Sequence, residues 1–159
     1  MRRTASSSIN LEGITIMLIA LIGENCAGKS TLAEAIRLKR GGEIISGKDY
    51  LRLAKSESIA QALFKKKLKE AVTGDDLIYV ITEKEHLSFL PDGAVRVLVT
   101  AELDTIKERF KARMHGVLPP PVEKMLEMKH GCFDSGEYDH RFKSGEDDIE
   151  AFCERLKDR

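Results

Sequence analysis

Residues Gly23-Glu24-Asn25-Cys26-Ala27-Gly28-Lys29-Ser30 place two glycines, a lysine and a hydroxyl at the fixed positions of G-x-x-x-x-G-K-[ST]. The glycines let the backbone curl so that successive N–H groups face one anion. A helix starting near Lys29 aims the positive end of its dipole at the same point. The chemistry suits a polyphosphate: Lys29 reaches the β and γ phosphates, Ser30 ligates Mg²⁺, and Thr31 lies within reach of the α phosphate. Gly23, Glu24, Asn25, Cys26, Ala27 and Gly28 form the cradle. Four fixed positions match by chance in about one in several hundred chains of this length. The expected ligands are ATP, or a similar nucleoside triphosphate, and Mg²⁺.

A loop of this kind must be held between a strand and a helix, and the flanking sequence supplies both. Residues 14–22 are apolar and rich in β-branched side chains, as in a strand covered on both faces. Residues 29–39 carry Leu32, Ala35, Ile36 and Lys39 at helical spacing, and Gly41-Gly42 stops them. Further strands are expected at 43–46, 77–82, 94–100 and, weakly, 138–143. Residues 50–73 read as two helices with a break near 56–58. Helices are also expected at 102–114, where Leu103, Ile106 and Phe110 share a face, at 122–129 and at 146–157. This alternation predicts an α/β fold of three layers, a five-stranded parallel sheet with helices on both faces.

The chain has 159 residues, which suits one domain, and 26 basic against 26 acidic side chains. That balance favours neither nucleic acid nor a membrane surface as partner. No apolar run approaches the roughly 20 residues that cross a bilayer. Residues 1–10, basic and Ser-rich, read as a flexible tail ahead of a single domain over 11–159. Cys26, Cys132 and Cys153 show no framework spacing, so a reducing cytoplasm is the expected setting. His130, Cys132, Asp134 and His140 lack the paired clusters of a zinc site. Cys26 sits where a thiol pKa falls, yet reads first as a small side chain that fits the loop.

Ile44-Ile45-Ser46-Gly47-Lys48-Asp49-Tyr50-Leu51-Arg52-Leu53-Ala54 resembles the I-S-x-G-D-x-L-R-x-A segment of adenylate-kinase-type nucleoside monophosphate kinases, with Lys48 interrupting the Gly–Asp adjacency. The resemblance implies that Arg52 holds the acceptor's phosphate. It also implies that Asp49 orients the acceptor or takes the proton of an acceptor hydroxyl. Residues 102–113 resemble the helix entering that family's mobile lid, which ends in R-x-x-x-R. Arg109 and Arg113, four residues apart on one face, would neutralise charge on the transferring phosphoryl group. Ser144-Gly145 occupies the place where such kinases hold adenine through the backbone, and Asp139 would shape the turn beside the base.

The sequence departs from the family in two places. Thr82-Glu83-Lys84-Glu85 stands where adenylate kinases carry D-G-F-P-R, and Glu83 is the candidate to hold Mg²⁺ through water. The expected lid, about 114–137, is short, as in shikimate- and gluconate-kinase-like proteins. The resemblance therefore implies a P-loop NTPase fold and an ATP-dependent kinase with acceptor-binding helices at about 47–73. Three readings stay open: a nucleoside monophosphate acceptor, slightly preferred, a metabolite hydroxyl, or a nucleotide-binding protein without turnover. A GTPase is disfavoured, because N-K-x-D and D-x-x-G elements are missing.

Overall fold

The computed structural model describes residues 8, 9, 15–74 and 76–157. Its main sheet has five parallel strands: β3 (Leu18–Ile22), β4 (Glu43–Ser46), β5 (Leu77–Ile81), β6 (Val95–Thr100) and β7 (His140–Lys143), in the order β4-β5-β3-β6-β7. Central β3 and β5 are buried along their whole length. Their unbroken apolar runs follow from having both faces covered. The two-residue side-chain period splits each run between two cores. Leu18, Ala20 and Ile22 pack with Phe64, Tyr79 and Phe89 on one face, while Ile19 and Leu21 meet Leu32, Ile36 and Phe152 on the other. The three-layer α/β expectation is met.

The apolar run at 14–22 is not one strand. Thr15–Ile16 (β2) pairs antiparallel with Ser8–Ile9 (β1), and β3 begins only at Leu18. The break falls at Met17, whose N–H donates to Asp76 Oδ1 at 2.9 Å. Ser8 and Ile9, expected in the tail, are thus strand; residues 1–7, 10–14, 75, 158 and 159 lie outside the described residues.

Helix α1 (Lys29–Arg40) buries Leu32, Ala33 and Ile36 and stops at Gly41, whose N–H donates to Arg37 O at 2.7 Å. A 3-10 helix (Asp49–Leu53) and α2 (Glu57–Ala71) come after β4, with Ser56 as the N-cap of α2. The break lies at the front of the expected 56–58, because the Ser56 hydroxyl caps the first turn of α2. A second 3-10 helix, Lys84–Phe89, gives no signal in the sequence; it is too short to show helical periodicity. Helices α3 (Leu103–Arg113) and α5 (Ile149–Lys157) fall within their expected spans. Helix α4 (Pro120–Lys129) starts two residues earlier than expected, since proline is tolerated in a first turn. No helix among the described residues is long and apolar enough to cross a membrane.

Asp76 fastens β5 to its neighbours, accepting from Met17 N–H and, at 3.0 Å, from Arg40 Nη2. Both side chains of that ion pair are nearly buried. Asp76→Ala removes the partner of a buried guanidinium and should cost about 3 kcal/mol or more in urea unfolding. A loss below about 1 kcal/mol would show that the pair contributes little.

Candidate active site

The phosphate loop leaves the carboxyl end of β3 between β5 and β6, on the two sides of which the chain order diverges. Its glycines are required by contact as well as by conformation. A Cβ at Gly23 would stand 2.3 Å from Val99 O, and one at Gly28 would stand 2.8 Å from Ser144 Oγ. Gly28 is also left-handed, with φ 105°, and as the N-cap of α1 it offers no side chain to the first-turn N–H groups. With no acidic residue in that turn, the helix start is open to an anion.

Lys29 is 5% exposed and folds back along the loop. Its ammonium donates to Gly23 O at 2.7 Å and to Glu24 O at 2.6 Å. Burial pushes its pKa down from 10.5 to about 8, opposed by attraction to Cys26 and Glu24 and reinforced by the nearby positive charge of Arg113. A polyphosphate would offer this cation the counter-charge that burial withholds.

A cleft of about 750 Å³ opens beside the loop. Asn25, Cys26, Gly28, Lys29, Ser30 and Thr31 line it, whereas Gly23, Glu24 and Ala27 support it from behind. Arg109 and Arg113 reach the same cleft from α3, as their four-residue spacing predicts. Arg109 donates through Nη1 to Cys26 O at 2.9 Å and through Nη2 to Ser144 Oγ at 2.8 Å. It thereby ties loop, lid helix and the β7–α5 turn together. Ser144 and Gly145 also line the cleft, but the Ser144 hydroxyl, not only its backbone, is engaged. Asp139 takes part in strand entry, accepting from Arg96 N–H at 2.8 Å.

Glu24 has a role the motif does not disclose. Its Oε2 accepts from Gly131 N–H at 2.8 Å, and its Oε1 lies 3.1 Å from His130 Nδ1. The segment after α4 is thus fastened to the loop, with Leu126 packing beside Cys26 and Ile106. His130 is accounted for by this contact, and Cys132 packs against the core, where burial raises its pKa.

On the acceptor side the expected residues separate. Asp49 lines the cleft, with Oδ2 accepting from Ser46 N–H at 3.0 Å. Arg52 does not line it: its side chain is 82% exposed and donates to Asp49 Oδ1 at 3.1 Å. Lys48, the interrupting residue, does line the cleft. Glu83 is exposed and starts the 3-10 helix after β5, leaving Thr82 to face the cleft. Ser30 is therefore the hydroxyl placed for a cation. No group of three or more His, Cys, Asp or Glu among the described residues could hold a metal alone. Such a donor set fits Mg²⁺, which retains water and is shared with phosphates.

Fold and cleft define a class: an α/β protein with the P-loop kinase-like architecture. Among solved structures, shikimate kinase from Bacteroides thetaiotaomicron is similar at TM-score 0.59 and 18% identity, over 89% of this chain and 96% of its own. Gluconokinase from Sinorhizobium meliloti 1021 is similar at TM-score 0.58 and 13% identity, over 90% of each chain. The YorR protein of Bacillus subtilis, solved in complex with phosphorylated GDP, gives TM-score 0.59 and 21% identity over 88% of this chain and 93% of its own. Likeness at these identities establishes the fold. No protein-family model matches the sequence, and no curated protein does.

Proposed function

We propose that this protein is an ATP-dependent kinase that transfers the γ-phosphoryl group to a hydroxyl of a small metabolite. The observation that carries the reading is one cleft holding Lys29, Ser30, Arg109 and Arg113 at one end and Asp49 at the other. The acceptor oxygen would attack the γ phosphorus and pass its proton to Asp49 as the bond from the β–γ bridging oxygen breaks and ADP leaves. Lys29 would take the β and γ charge, and Arg109 and Arg113 the charge on the transferring group. Mg²⁺, held by Ser30, phosphates and water, would neutralise phosphate charge when bound.

A hydroxyl acceptor is preferred over a nucleoside monophosphate because Arg52, on which the latter rests, is outside the cleft and turned onto Asp49. The monophosphate is the second reading, favoured by the Lys48 ammonium beside Asp49, which could meet a phosphate. Coupled ADP-release assays with shikimate, gluconate, AMP and GMP test both. Asp49→Asn should lower kcat about 10²- to 10⁴-fold, as loss of a general base does. Arg52→Ala should change the acceptor KM less than about threefold; a rise above about tenfold would turn the assignment to the monophosphate.

A further inference from the structure

Only two polar or charged residues are buried as whole residues among the described ones: Lys29, in the phosphate loop, and His86, which is 2% exposed. His86 lies in the 3-10 helix after β5, the stretch where the D-G-F-P-R element is missing. Its ring stacks on Phe89 at 5.8 Å and meets Tyr50 edge-on at 6.2 Å. Neither ring nitrogen has a hydrogen-bond partner among the described residues. Nε2 is 3.8 Å from Glu85 Oε2, beyond hydrogen-bond reach. The nearby Tyr79 hydroxyl is committed to Gly47 O at 3.0 Å.

The ring edge faces the cleft. Gly47 lines the cleft beside Asp49, and a methyl group built on it would meet nothing within 4 Å except His86 Cε1, at 3.9 Å. Cε1 lies between the two nitrogens, so the room beside Gly47 ends on the edge that carries both of them. A purely structural position of this kind is better filled by phenylalanine, which would stack on the same rings without stranding two polar atoms.

We propose that His86 determines acceptor specificity: its imidazole edge, reached past Gly47, hydrogen-bonds an uncharged hydroxyl of the acceptor. The inference rests on the kinase reading. Neutral imidazole offers one donor and one acceptor, and a hydroxyl answers both. A carboxylate or phosphate accepts only, and would bring charge into a wall of aromatic rings.

The test compares wild type, His86→Phe and His86→Gln with whichever of shikimate, gluconate, AMP and GMP gives wild type its lowest KM. His86→Phe should melt no lower than wild type. Its acceptor KM should rise about 10- to 100-fold, as for a site group left without its hydrogen bond. The KM for ATP should change less than about threefold, and His86→Gln should recover part of the loss because its amide both donates and accepts. An unchanged acceptor KM in His86→Phe would overturn the inference and leave the kinase reading standing. An equal rise in both KM values would also overturn it, marking His86 as core. Failure of every compound to stimulate ADP release by wild type would sink both readings. If His86→Phe does not fold, ¹⁵N spectra of the wild-type imidazole with the same compound decide: shifted ring nitrogens support the contact, and unmoved ones exclude it.

Discussion

Lys29→Met is expected to abolish triphosphate binding and to remove a pH dependence of stability that the wild type shows above pH 8. Burial lowers the Lys29 pKa to about 8 in the folded chain, against 10.5 as its ordinary value. Between those limits the unfolded chain holds the proton and the folded chain has released it, so stability rises as pH rises through that window. Below pH 8 the whole desolvation penalty is present, about 3 kcal/mol from the size of the shift. Urea unfolding at pH 7.5 and 10 should show the rise in wild type and its absence in Lys29→Met.

Bound polyphosphate reverses the balance, because its charge favours the protonated ammonium. Above pH 8, ATP binding must then be coupled to proton uptake, and affinity should fall by up to about tenfold per pH unit. Calorimetric titration in two buffers of different ionisation enthalpy reads that proton directly. Affinity independent of pH between 7 and 10, or tight binding by Lys29→Met, would remove Lys29 from the site.

The loop and the central sheet are legible in the sequence because they depend on local rules. The run ahead of Gly23 has the composition of a strand covered twice, and the glycine spacing serves a tight loop. The length of that strand is not legible. It is decided at Met17 by the distant Asp76 carboxylate, a contact across 59 positions that no local period reveals. Asp49 and Arg52 show the same limit from another side. Their spacing suggests that both meet the acceptor, yet at three residues apart they pair with each other, and only Asp49 faces the cleft. Glu83 comes soon after β5, but the 3-10 helix that begins beyond it turns the chain and leaves that side chain in solvent. Lys48 is visible in the sequence only as an interruption of a familiar segment. His86 carries no signal there, since its meaning comes from a cage of rings supplied by separate elements.

Arg109 and Arg113 provide the sharpest separation of architecture from chemistry, because the same helix face carries both and their surroundings differ. Arg109 is half-buried and bridges Cys26 O to Ser144 Oγ. Arg109→Ala should therefore cost about 2 kcal/mol of stability, from two charged hydrogen bonds, as well as most of the activity. Arg113 is exposed, lines the cleft, and makes no ion pair among the described residues. Its proximity to Lys29 is registered in that lysine's lowered pKa. Two cations held close without an anion repel, and a transferring phosphoryl group would relieve that repulsion most where its charge is spread over three oxygens. Arg113→Ala should lower kcat about 10²- to 10³-fold while the melting temperature stays within about 2 °C. Arg113→Lys should recover only part of the rate, since an ammonium lacks the planar fork. Steady-state kinetics beside thermal melts distinguish the cases. If Arg113→Ala keeps its kcat, the second arginine is a solvated surface charge and Arg109 must act alone; a loss of stability equal to that of Arg109→Ala would instead make both residues part of the scaffold.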